Sequence, residues 1–222
     1  MQVGAGIRRH GWAQLLVLAA ALTACGQDAE PEPDAKPSAQ APTRNSTAGS
    51  TATAVASGAT VGAPGSACEL PVTFATGRDW KAEAIDNSAA GSGDFGDLAL
   101  RQGPVTAVCE IDAKPAGNIG FLRVFTAPPG NAGIRSVLAA FVAAEGKVGE
   151  AKYTPFKTGG LDGVQVDYLY SSEFLDEPKQ ESALAVGTPE GPVVLHLGGL
   201  DTEEHRAMLP ALELARRTLR VG

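Results

Sequence analysis

Three histidines, three cysteines and a scatter of carboxylates are the residues of this chain whose chemistry could go beyond packing. His10 lies in an N-terminal apolar segment, which leaves His196 and His205. A metal set can be drawn from His196, His205 and Asp201, but no His-x-x-x-His or His-Glu-x-x-His spacing fixes it. Asp201 and Glu204 are equally the residues that open a helix, one as cap and the other as a partner of the helix dipole. The stretch from Asp86 to Asp97 follows part of a calcium-loop register, with Gly91 in the sixth place. Ala90 then stands where a ligand is needed and Asp97 where a bidentate Glu belongs, so it reads as a flexible loop. No Gly-x-Ser-x-Gly elbow occurs, and Gly159-Gly160 lacks the Gly-Lys-Ser/Thr ending of a phosphate cradle. Tyr153, Phe156, Tyr168 and Tyr170 fall on neighbouring predicted strands, where they could line a ligand groove or fill a core. The sequence therefore assigns no catalytic, cofactor-binding or metal-ligating residue.

The elements that must position these residues are legible as periodicities. Strands are expected at Val72–Ala75, Trp80–Ile85, Val105–Asp112 and Ile119–Thr126, the last two joined by Lys114-Pro115-Ala116-Gly117-Asn118 as a hairpin. Ile134, Val137, Leu138, Phe141 and Val142 form one apolar stripe, which predicts a helix over about Asn131–Glu145 stopped by Gly146. A meander follows at Ala151–Lys157, Val164–Ser171, Ser182–Gly187 and Val193–Leu197. In the second of these, Val164, Val166, Tyr168 and Tyr170 alternate with Gln165 and Asp167, giving one wet face. Pro155 places its strand at an edge or bulge. A closing helix opens at Asp201 or Thr202, buries Met208, Leu212, Ala215 and Leu219, and is kinked or divided at Pro210. Strands in runs, with helices between and after them, read as an α+β domain in which an antiparallel sheet is covered by helices.

The chain's 222 residues carry 18 basic and 25 acidic side chains, for a net charge of −7. That balance argues against a nucleic-acid binder, which must neutralise phosphates. Residues 1–24 show Arg8-Arg9 followed by an uncharged run from Gly11 to Ala24, the layout of a secretory signal peptide and too short to span a bilayer as a helix. From Gly26 to Ala67, Ala, Ser, Thr, Pro and Gly make up 31 of 42 residues, and Val55 and Val61 are the sole large apolar side chains. Residues 25–67 therefore read as a disordered tether, and residues 68–222 as a single domain. Leu22-Thr23-Ala24-Cys25-Gly26 resembles a bacterial lipobox. The resemblance implies cleavage before Cys25 and acylation of that residue, so that lipid holds the protein at the outer face of the cell membrane. With Cys25 so used, Cys68 and Cys109 are left in an oxidising compartment, where a disulfide is the default.

The order of elements over residues 68–222, with an early Trp80, a central amphipathic helix, a four-strand meander and a closing helix, resembles the PsbP-like domain of small actinobacterial lipoproteins of the LpqN/LpqT sort. That resemblance implies a non-catalytic role in the cell envelope and transfers no site residue or cofactor. The expectation is a lipid-anchored binding or interaction domain, its partner an envelope protein or an apolar small molecule. The alternative is an envelope hydrolase or metal-dependent enzyme using His196 or His205, which a Ser or carboxylate beside either ring would favour.

Overall fold

In the computed structural model, which describes residues 55–87 and 100–222, eleven strands, two α-helices and a single 3-10 turn at Lys114–Ala116 follow one another along the described residues. The strands are β1 (Ser57–Val61), β2 (Val72–Gly77), β3 (Lys81–Ala84), β4 (Arg101–Gln102), β5 (Val105–Asp112) and β6 (Gly120–Thr126), then β7 (Lys147–Thr158), β8 (Leu161–Ser171), β9 (Lys179–Thr188), β10 (Gly191–Gly199) and β11 (Arg220–Val221). The helices are α1 (Ile134–Ala143) and α2 (Thr202–Thr218). Eight strands make one sheet in the order β3-β5-β6-β10-β9-β8-β7, with β4 also on β5, and β1-β2-β11 make a second, three-stranded sheet. The expected α+β architecture is what these elements build.

Both faces of the large sheet are covered, and this accounts for the composition of its middle strands. On one side the α1 stripe of Val137, Leu138, Phe141 and Val142 packs with Phe125, Val166, Ala183, Ala185 and Val194. On the other, α2 and the small sheet bring Met208, Leu212, Leu219, Val72 and Phe74 onto Leu122, Leu184, Val186, Leu195 and Leu197. Residues 181–186 of β9 are accordingly buried in succession, the pattern of a strand with two dry faces. In β5, Val105, Ala107, Cys109 and Ile111 look like one face of a plain strand. A bulge between Ala107 and Cys109 instead sends the first two to the α1 side and the last two to the α2 side. That switch brings Cys109 to Cys68, and the two form the expected disulfide with Cα atoms 5.9 Å apart.

Three expectations change. The ordered domain begins before Cys68: β1 pairs with β2, and Val61, one of the two large apolar residues of the expected tether, is buried. The final helix is continuous through Pro210 rather than divided there. At its start Asp201 is the expected cap, accepting from the Glu204 N–H at 2.9 Å, while the Glu204 carboxylate, instead of closing a reciprocal bond to the cap, accepts from the Ile119 N–H at 3.0 Å. Pro155 does lie on the edge strand β7. The signal segment, Cys25, the tether up to residue 54 and most of the 86–97 loop lie outside the described residues.

Candidate functional site

His196 and His205 are placed on opposite faces of the large sheet, so the metal set that joined them with Asp201 is not assembled. His196 sits on β10 facing the α1 side, while His205 reaches from α2 to the other side, and Asp201 is the helix cap. The glycines at the end of β10 set the second position. A Cβ on Gly199 would come within 2.9 Å of the His205 backbone nitrogen, so only glycine lets the first turn of α2 lie this close to the sheet.

Around His205 the residues expected to form a wet strand face become the floor of a groove. The groove, of about 710 Å³, runs between α2 and strands β7, β8 and β9. Leu169, Leu209 and Pro210 supply apolar wall, Gln165, Asp167, Ser182 and His205 the floor, and Lys152, Arg206 and Arg217 stand among the charged residues of its lining. Ser182 Oγ donates to Asp167 Oδ1 at 2.7 Å and lies 3.1 Å from His205 Nε2. Serine has one hydroxyl hydrogen and spends it on Asp167, so the bond to His205 requires Nε2–H as donor. Burial pushes the His205 ring down to about 4, which keeps it neutral. Both His205 Nδ1 and Gln165 Oε1 are buried without a hydrogen-bond partner.

A serine and a carboxylate thus stand beside a histidine, the feature that favours a hydrolase, yet their order is wrong for one. In a catalytic triad the imidazole bridges acid and nucleophile and takes the hydroxyl proton. Here the serine is the bridge, and the nitrogen facing it already carries a hydrogen.

His196 lies in a second cluster, which the sequence reading missed. Its Nε2 is 2.7 Å from Glu181 Oε2 and 3.5 Å from Glu145 Oε1. The Tyr168 hydroxyl donates to Glu145 Oε1 at 2.8 Å and stands 3.1 Å from His196 Nε2. Lys179 holds the outer oxygen of Glu181 at 2.7 Å, and Gln102 donates to Glu145 at 2.8 Å. The side chains of Glu145, Glu181 and His196 are only 9%, 5% and 12% exposed. Burial raises the Glu145 carboxyl above its ordinary value, and the neighbouring Glu181 adds to the rise. For Glu181 burial acts upward too, but hydrogen bonds and charge from His196 and Lys179 prevail and hold it down at about 2. Burial and the two carboxylates push the Tyr168 hydroxyl upward. Register could have exposed this cluster: a turn at Pro189-Glu190-Gly191 pairs Ala183 with His196 and puts Glu181 on the same face, two residues along.

Of the four aromatic residues that could line a groove or fill a core, three share one side of the sheet and Phe156 does not. Tyr168 is buried on the α1 side, where Tyr153, under the Arg135 guanidinium at 4.3 Å, and Tyr170 pack beside it. Phe156 packs on the opposite side, its ring over Gly163, where a Cβ would fall 2.4 Å from Cζ. Phe156 lies three positions after Tyr153, and an odd spacing in a strand reverses the face.

A family model described as "Uncharacterised lipoprotein" matches residues 37–219. The chain belongs to that lipoprotein family. The family carries membrane attachment through lipid, and no helix among the described residues is long and apolar enough to cross a membrane. No curated protein matches the chain. Among solved structures it is similar to the solution structure of cyanobacterial PsbP (CyanoP) from Synechocystis sp. PCC 6803, at 10% identity and a TM-score of 0.46, over 68% of this chain and 87% of that one.

Proposed function

We propose that this lipoprotein is a non-enzymatic binding protein of the cell envelope, of the kind represented by the actinobacterial LpqN/LpqT lipoproteins. It is exported, cleaved before Cys25 and held by acyl chains on that residue at the outer face of the cell membrane, with residues 25–54 as a tether. Its ligand is an amphiphilic small molecule taken into the groove between α2 and strands β7 to β9. The observation that carries this reading is the groove itself: its volume is in the range of small-molecule sites, and its lining sets the apolar wall of Leu169, Leu209 and Pro210 beside the charged Lys152, Arg206 and Arg217. A ligand that joins an apolar body to a polar head would match both parts of that lining.

Dodecyl maltoside below its micellar concentration is a suitable probe, because it joins an alkyl chain to sugar hydroxyls. Calorimetric titration should show saturable binding. Leu209→Trp, which fills the groove from α2, should weaken it more than about tenfold, a change of about 1.4 kcal/mol. Binding that is absent, or equal in the folded Leu209→Trp protein, refutes the groove as the site.

A further inference from the structure

We propose that Glu145, Glu181 and His196, with Tyr168 beside them, form a binding site for one divalent transition-metal ion, Zn²⁺ being the ion that fits the donor set best. The site lies on the α1 side of the sheet, and the inference is independent of the groove on the other side.

Geometry carries the argument. The four inward atoms are His196 Nε2, Glu181 Oε2, Glu145 Oε1 and Tyr168 Oη. Five of their six pairwise separations are 2.7 Å for Glu181–His196, 2.8 Å for Tyr168–Glu145, 3.1 Å for Tyr168–His196, 3.3 Å for Tyr168–Glu181 and 3.5 Å for Glu145–His196, and the sixth, Glu145–Glu181, lies within 4.8 Å. A tetrahedral ion with bonds of about 2.0 Å requires its donors to stand about 3.3 Å apart. Of these five edges, Glu181–His196 and Tyr168–Glu145 need to open by about half an ångström to reach that spacing. One imidazole and two carboxylates are a donor set that zinc and its first-row neighbours accept.

The surroundings fit this role. Two carboxylates gathered about one nitrogen in the interior repel each other, and a dication at the centre turns that repulsion into attraction for both. Lys179 grips the outer Glu181 oxygen and leaves Oε2 facing inward, as outer-sphere partners do, while Gln102 of the adjoining β4 donates to the inward Glu145 Oε1 itself and orients it. His196 is further held by the edge-on Phe141 ring, 5.4 Å between centroids. Entry is available: a depression of about 420 Å³ lined by Phe121, Arg123, Lys179 and Gly198 reaches Glu181 and His196. On binding, the hydrogen that Nε2 donates to Glu181 leaves that nitrogen for Nδ1 or for solvent, and the Tyr168 hydroxyl keeps its own.

The test uses the full chain in mild detergent, stripped of metal and then titrated with Zn²⁺, and separately with Co²⁺ as a spectroscopic reporter. One Zn²⁺ per chain is expected, with the visible bands of four-coordinate Co²⁺. His196→Gln and Glu181→Gln, checked for fold by circular dichroism, should each weaken Zn²⁺ binding on the order of 100-fold. Ser182→Ala, on the opposite face, should leave it unchanged. Lack of saturable binding, a Co²⁺ spectrum of purely octahedral type, or undiminished affinity in the folded His196→Gln and Glu181→Gln proteins overturns the proposal. Should both variants fail to fold, the stoichiometry and Co²⁺ spectrum of the unaltered chain decide by themselves.

Discussion

Acidification should weaken this fold through His205, and the effect can be sized. The residue is 2% exposed, and burial lowers its folded-state pKa from 6.5 to about 4. A base whose folded pKa is depressed binds fewer protons in the native state than in the unfolded chain. Its contribution is therefore intact above about pH 6.5 and is lost as pH falls toward the folded value. Between about pH 7.5 and about pH 5 the linkage amounts to roughly 2 kcal/mol. Glu181, held at about 2, begins to weaken the fold only below its ordinary value of 4.5. Glu145 works with the opposite sign, since a raised carboxyl adds stability as pH falls. Subtraction isolates the histidine. Urea unfolding at the two pH values, followed by fluorescence of the buried Trp80, is compared in the native protein and in His205→Gln, which keeps a donor for Ser182. The native protein should lose roughly 2 kcal/mol more than the variant. Equal losses in the two would refute the assignment of a buried neutral ring.

The disulfide and the lipid anchor give two further tests. Replacing Cys68 and Cys109 by Ala frees a loop closed by residues 41 apart in sequence, and the chain-entropy model predicts a loss of about 4 kcal/mol, read as a lower urea midpoint. Thiol labelling of the unreduced, denatured protein should find neither cysteine free. Cys25→Ala should release the protein from the detergent phase or leave an uncleaved precursor, and identical partitioning of both forms would refute acylation at Cys25.

How far the sequence carried depended on whether a feature is local. The α1 stripe and the β5–β6 hairpin are written in the spacing of their own residues, and both form close to where the pattern places them. β1 was hidden because its segment reads Ser-Gly-Ala-Thr-Val: four of its five residues are exposed, and the pairing rests on β2 and on a single buried valine. Glu145 was invisible for another reason. It follows the C-terminus of α1 and meets His196 only after the chain has folded back through four more strands. Sequence spacing cannot report such a meeting without the register of β8, β9 and β10. The histidines illustrate the converse, since residues nine apart along the chain, which no ligand spacing joined, are divided by the sheet.

The Cys68–Cys109 bond also bears on mechanics. Both ends of the ordered domain are stitched into the small sheet, β1 and β11 flanking β2. A pull transmitted from the N-terminal side loads β1 first and can strip its ladder from β2. Beyond residue 67 the load passes through sulfur into the middle of β5, bypassing every hydrogen bond between. The bond thus acts as a mechanical stop: tension can peel off β1, while the two clusters around His196 and His205 stay behind the arrest point.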